Sequence, residues 1–426
     1  NMPEKKTWFE ELKISYNVGF FLAIRDIKRA NKWTTALIVS VMVLTFLNLV
    51  VVSGILVGLI EGSIEASKER YTGDVIISAF PERQFIENSQ DIIKIAENIP
   101  HFDALTWRYT AGGKIESNYK DTLEQGEVIN SASGLVAGID PDREDSVTGI
   151  SEKVIEGEYL DRSDTDSILV GKDLLYKYTP IESPGFQTLK DAEIGTRVRL
   201  TVNGVSREVT IKGIIKSKAG EVDARIYMID SELRKMIGRT DQNVDEIAIF
   251  LDAEGDAIAA KDALVASGVG KYAKVQTSEE AQPKFLKDIK ATFAILGNMF
   301  SFIGLVVASI TIFIVIFVNA ITRRRYIGIL KGIGVSRRAI EFSYILQAIF
   351  YASMGIILGM ILVFGVIQPG IAANPIDFPF SDGILATTVV GTVVRIIILM
   401  FATIIAGFIP ARIVIKQRTL DAILGR

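Results

Sequence analysis

Four long apolar runs punctuate the chain. Trp33 to Ile60, Ala291 to Thr322 and Phe342 to Gln368 carry no charged residue, and Ile384 to Pro410 carries one, Arg395. Each is long enough to cross the ~30 Å hydrocarbon core of a bilayer as a helix. The first, 28 residues, would reach ~42 Å at 1.5 Å per residue, and the second, 32 residues, ~48 Å. Both should therefore span and project beyond the bilayer, pairing as a two-helix stalk. The first run is too long for the apolar core of a signal peptide and lacks a small-residue cleavage site. Ahead of it, Phe9, Leu12, Tyr16, Phe20, Ile24 and Ile27 recur every three or four positions, with Lys13, Arg25, Lys28 and Arg29 between them. That pattern predicts an amphipathic helix lying on the cytoplasmic face of the membrane. Asn1 precedes Met2 and reads as a non-native addition.

Residues 61–290 follow another rhythm, short strand and helix patterns with no spanning run. Gly73–Ala79 reads as a strand, Asp91–Asn98 as a helix and Ala104–Tyr109 as a strand. A β-rich middle occupies about 136–220, and Asn203-Gly204 between two alternating runs predicts a type I′ hairpin. After it come a strand at Arg225–Asp230, a helix at Ser231–Gly238, a strand at Asp245–Asp252, a helix over 254–267 and a strand at 272–277. The outer parts, about 61–135 and 221–290, alternate β and α, so the middle reads as an insertion.

Charge gives this layout a direction. Residues 61–290 hold 29 Lys and Arg against 42 Asp and Glu, while the rest of the chain holds 18 against 8. Basic flanks around an acidic block place the block outside and both termini in the cytoplasm. The turn 369–383 carries acids but no basic residue, as an outside loop should. The absence of cysteine excludes disulfides and thiolate chemistry. A single histidine, His101, sits in an Ile-Pro-His-Phe turn, and no catalytic cluster surrounds it. Gly268-Val269-Gly270-Lys271 lacks the spacing and hydroxyl of a phosphate-binding loop. Acidic clusters at 140–145 and 161–166 lack calcium-loop spacing and read as solvated loop acids. No basic domain surface for nucleic acid is evident. Arg395 is read as snorkelling to the outer interface, with a buried functional pair as the alternative.

The most specific stretch is Thr322-Arg323-Arg324-Arg325-Tyr326-Ile327-Gly328-Ile329-Leu330-Lys331-Gly332-Ile333-Gly334-Val335-Ser336-Arg337-Arg338. A helix leaves the membrane at the arginines and a short amphipathic helix follows. Ile327, Ile329, Leu330 and Ile333 are free to face a partner or the bilayer, Gly332 and Gly334 break the helix, and Ser336 caps the next. By charge alone this is a basic cytoplasmic loop. Its ordered pattern, with the Gly-Phe-Ile-Pro-Ala-Arg segment at 407–412 and the VAGIDP…VIEGEYL…SILVGKDLL segment, resembles the FtsX/MacB-like (type VII) ABC transporter permeases, which include lipoprotein-release permeases. Tyr326 departs from the acidic residue usual there, which puts one ion pair to a partner in doubt.

The resemblance implies a membrane protein with four transmembrane α-helices plus a large extracytoplasmic α/β domain carrying an inserted mainly β subdomain. The expected layout is an amphipathic helix at 1–32, spans at 33–60, 291–322, 339–368 and 384–410, a coupling loop at 323–338 and a tail at 411–426. It also implies that the chain is not an enzyme, with ATP and Mg bound on a separate cytoplasmic ATPase present in two copies. Two permease chains would pair in the plasma membrane among its lipids, with an extracytoplasmic partner protein. Residues 323–332, Gly334 and Ser336 would couple to the ATPase, and Gly54, Gly58 and Gly297 would allow the two long helices to act as a lever. The work expected is mechanotransmission for export or extraction of a lipoprotein, peptide or other amphiphile. The alternative is a signalling subunit that activates an external hydrolase.

Overall fold

The computed structural model describes residues 8–119, 129–180, 187–374, 376–378, 381–383 and 385–416. Expectations for Asn1, for 417–426 and for parts of the 369–383 turn lie outside them. The chain forms two compact units, one of Asn1–Leu59, Asp288–Ile376 and Gly383–Arg426, the other of Ile60–Lys287 and Asp377–Asp382.

The first unit is helical, and two of its helices continue past its limits at Leu59 and Asp288. An amphipathic helix α1 (Trp8–Arg29) is followed by α2 (Lys32–Thr72), α3 (Lys284–Thr322), a short α4 (Arg324–Gly332), α5 (Arg337–Ala373) and α6 (Val389–Ile415). Of these, α2, α3, α5 and α6 are long and apolar enough to cross a membrane, at 41, 39, 37 and 27 residues. Water cannot drive apolar helices together inside a bilayer, so close packing must do it, and small residues set the approach. A Cβ added to Gly355 of α5 would come within 2.2 Å of the Met42 Cβ on α2, and one on Gly359 within 2.4 Å of the Phe46 ring. Met42 and Phe46 are fully buried there. The same economy seats α1. Gly19 meets the Ala339 carbonyl of α5, and Tyr16 packs edge-on to Phe342 with ring centroids 4.3 Å apart. The apolar residues Phe20, Phe21 and Ile24 remain exposed on α1.

In the second unit the strands are β1 (Val75–Ser78), β2 (Phe102–Ser117), β3 (Asn130–Ile139), β4 (Val154–Gly157), β5 (Ser167–Gly171), β6 (Arg197–Val202), β7 (Val205–Ile215), β8 (Arg225–Ile229), β9 (Glu246–Leu251) and β10 (Lys274–Thr277). The first half of β2 lies in an antiparallel sheet of order β10-β1-β9-β2. Its second half enters a ring that closes on itself, β2-β3-β8-β5-β7-β6 and back to β2, with parallel pairs at β3–β8 and β5–β7. Closure leaves those strands without free edges and fills the interior with Ile115, Val136, Ile168, Leu200, Ile211 and Ile226, all fully buried. The β6–β7 turn has Asn203 at φ 49° and Gly204 at φ 81°, the left-handed pair that a type I′ turn requires.

The ring differs from the division at 136 and 220 drawn from the sequence. It begins within β2, near Tyr109, and ends with β8 at Ile229. Alternation along a strand reports which face is buried but not which sheet the strand joins, so one continuous 16-residue strand shared by two sheets cannot be divided from pattern alone.

Where the two halves of β2 meet lies a buried ionic network. Arg108 donates from Nε and Nη2 to Glu144 Oε1 at 2.9 and 2.6 Å, and Thr106 Oγ1 donates to Glu144 Oε2 at 2.8 Å. Arg225 forks onto both oxygens of Glu246 at 2.9 Å, and the Tyr71 hydroxyl donates to Glu246 Oε1 at 2.9 Å. The Arg108 and Arg225 guanidinium groups also lie 5.2 and 4.4 Å from the Tyr71 ring centroid.

Candidate ATPase-coupling surface

The α3 helix stops at Thr322, whose hydroxyl turns back onto the Val318 and Asn319 carbonyls at 2.9 and 3.1 Å. Arg323 leaves helical geometry (φ −100°, ψ 12°) and becomes the N-cap of α4. Its guanidinium reaches α1, donating to Asp26 Oδ1 at 2.6 Å. Asp26 is the lone acid between residues 12 and 60, a signal within a basic helix that sequence reading passed over.

The end of α4 is a Schellman motif. Gly334 (φ 93°) donates to the Lys331 carbonyl at 3.1 Å and Val335 to the Leu330 carbonyl at 3.0 Å. Gly334 is therefore the breaker. Gly332, expected to share that role, is the last helical residue, and a Cβ there would touch nothing within 4 Å. Ser336 then caps α5, its Oγ accepting from the Ala339 amide at 3.2 Å and lying 2.9 Å from Ser15 Oγ on α1.

The four apolar residues expected to face a partner or the bilayer divide between two sides of α4. Ile327 is buried against a core containing Ile340, Val414 and Ile415, with Leu330 and Val335 packed at its edge. Ile329 and Ile333 stay open, 52% and 73% exposed, beside the exposed Arg325, Gly332, Arg337 and Arg338. Gly328 is buried, while Arg324 and Tyr326 are half-buried. The Lys331 ammonium donates to the Ile415 carbonyl in the last turn of α6, a cation at the negative end of a helix. Burial, with the charge of Arg337 added, lowers the Lys331 pKa. A groove beside the Schellman turn runs between Ile14 and Val18 of α1 and the segment Ile333–Ala339. The surface thus offers two isoleucines ringed by cations on a helix fixed along its other face.

The residues assigned to the lever are distributed differently. Gly297 of α3 faces Ser53 of α2, with a Cβ there 3.0 Å from the serine Oγ, and Gly304 faces Asn48. Gly54 faces instead the segment before α6, whose Ala386 amide donates to the Gly54 carbonyl at 3.1 Å. Gly58 is buried, whereas Ile295 and Leu296 are exposed. Arg395 is half-buried and donates to Ser53 Oγ at 2.8 Å, so its partner is a hydroxyl on α2.

Taken together, the apolar helices and the sheet unit define a multi-pass membrane protein with a large α/β domain. Residues 298–419, which include the whole of α4, match the family model of the FtsX-like permease C-terminal domain. The uncharacterized ABC transporter permease YvrN of Bacillus subtilis (strain 168) is 30% identical over 153 residues. That match covers 36% of this chain and 35% of the relative, so the chain spans about a third of the length of the curated relative it matches. Among solved structures, the periplasmic region of MacB from Actinobacillus actinomycetemcomitans is 14% identical with a TM-score of 0.34, covering 50% of this chain and 92% of that one. The extracellular domain of the noncanonic ABC-type transporter YknZ from Gram-positive bacteria is 12% identical with a TM-score of 0.30, covering 48% and 98%. The C-terminal part of the chain is thus similar to FtsX-like ABC transporter permeases.

Proposed function

We propose that this chain is the membrane subunit of an ABC system that works by mechanotransmission, with α4 as the element on which a separate cytoplasmic ATPase docks. The observation that carries this reading is the two-sided character of α4. One face is anchored by Ile327, by Lys331 on the Ile415 carbonyl and by Arg323 on Asp26. The other leaves Ile329 and Ile333 exposed among arginines. An anchored helix passes force to what it is anchored to, and an exposed apolar pair with a cationic rim suits a partner with an acidic-edged apolar cleft. On this reading two ATPase chains bind ATP and Mg beneath two paired permease chains. Both termini and α4 face the cytoplasm, the α/β domain lies outside, and the two long helices carry the motion between. The substrate is a lipoprotein, peptide or other amphiphile handled at the external domain, because the spanning helices carry almost no charge to line a polar channel.

The test is a pull-down from native membranes. The wild-type chain should retain an ATPase that an Ile329→Asp/Ile333→Asp variant loses while still inserting. Protease added to spheroplasts should cut within 61–290 and spare 323–338. Equal ATPase recovery by both chains, or cleavage at the arginines, would refute the reading.

A further inference from the structure

The contact that joins α1 to the start of α4 has more built around it than a docking platform requires. Asp26 receives Arg323 Nη1 on Oδ1 at 2.6 Å and Gln347 Nε2 of α5 on Oδ2 at 3.4 Å. Gln347, 5% exposed, is itself 3.5 Å from Ser343 Oγ. A single carboxylate therefore ties together α1, α5 and the non-helical residue from which α4 begins. Beside the pair lies a cavity of about 240 Å³ whose walls are largely polar, supplied by Asn31, Thr35, Asn319, Thr322 and Tyr351. Asn31 and Thr322 stand exposed at its rim and Tyr351 is buried at its base, so water or a displaced guanidinium can occupy it. Arg323 is at the edge of this space and holds the only backbone break between α3 and α4 among the described residues.

We propose that Asp26 and Arg323 form a latch that sets the angle of α4, closed while the ion pair stands and open when Arg323 swings into the adjoining polar cavity. Asp26 is a positioning residue on this view. The carboxylate holds the guanidinium in one state, and the amide and hydroxyl groups of the cavity accept its hydrogen bonds in the other. That gives a helix junction two discrete arrangements, the requirement for a switch. The proposal rests on the docking role of α4 and adds the joint about which α4 turns.

The chain has no cysteine, so spin labels can be placed on Phe21→Cys of α1 and Ile329→Cys of α4 in the full chain, reconstituted in nanodiscs. The labelled parent should give one narrow distance distribution. Asp26→Asn, Arg323→Gln and the double variant should each broaden or shift it, and all three to the same extent, because either change alone opens the latch. Identical distributions in the parent and all variants would overturn the proposal, as would additive effects in the double. In the complex with its co-purified ATPase, Asp26→Asn should leave the ATPase bound yet reduce stimulated hydrolysis about fivefold or more, the lower end of allosteric coupling. Unchanged stimulation would equally overturn the latch. Retention of the ATPase by the Ile329→Asp/Ile333→Asp chain would instead refute docking on α4 and leave the distance result standing.

Discussion

The two units bury different chemistry. The α/β interior holds whole charges, Arg108 with Glu144 and Arg225 with Glu246, each hydrogen-bonded on several sides. The helical unit has glycine against side chain, as at Gly355 and Met42, and between its apolar helices the polar contacts are single ones, such as Arg395 on the Ser53 hydroxyl. Among the described residues, Asn48 Oδ1, Ser301 Oγ and Thr387 Oγ1 are buried there with no partner. The contrast follows from how each unit assembles. A water-soluble domain hides apolar side chains from water and can afford buried charges only when all their bonds are made. Helices in lipid gain nothing from hiding more apolar surface and are held by fit.

The largest expected effect breaks a complete network in the first interior. Arg108→Met leaves Glu144 buried and unpaired, a loss of about 3–5 kcal/mol. The Trp107 indole, with the Arg143 guanidinium 3.4 Å from its ring centroid, reports the loss as a fall in the denaturation midpoint. The double change Arg108→Met/Glu144→Leu should cost less than the single one, since no charge is left stranded. A double variant worse than the single would contradict this account of the interior.

A smaller effect is expected from spoiling fit in the second interior. Gly355→Val forces a side chain into Met42 and should cost about 1–3 kcal/mol of helix packing, read as a lower melting temperature in detergent. Gly365→Val in the same helix meets open space, with nothing within 4 Å. It should change the melting temperature far less.

The smallest effect concerns pH. Asp245 accepts from the Thr110 amide at 2.6 Å and from Arg239 Nη1 at 2.7 Å. Burial nevertheless outweighs both and pushes its pKa up to about 6. A carboxyl raised on folding binds more protons in the folded state between about pH 4 and 6, so stability falls as pH rises through that range. From pH 5 to 8 the loss from this group is about 1 kcal/mol. Hydrogen exchange at the β9 amides, corrected for intrinsic rates, should show correspondingly weaker protection at pH 8, and Asp245→Asn should flatten the trend.

Local chemistry was legible from sequence wherever neighbouring residues decide it. The Asn203-Gly204 turn, the Ser336 cap and the short helix after the arginines all follow from spacing, because hydrogen bonds across three to five residues fix them. What could not be read spans distance. Asp26 lies 297 residues from Arg323, and Lys331 meets the Ile415 carbonyl only once α6 has packed. The division of Ile327 from Ile329 also needs a neighbour, since a nine-residue helix shows its period but not which side is covered. The strand β8 read as a return to the outer sheet because its five residues, all buried, look the same in either sheet.

The central claim is that α4 transmits the work of an ATPase, and Gly332→Pro tests it most directly. Proline there removes the last-turn amide donor and crowds the carbonyl four residues before it. No neighbouring side chain is displaced, because nothing lies within 4 Å of the added Cβ. Stimulated ATP hydrolysis should be measured in the reconstituted complex of the full chain with its co-purified ATPase. The account predicts that stimulation is lost while the chain still inserts and still carries the latch contact at Arg323. Stimulation equal to wild type would contradict it.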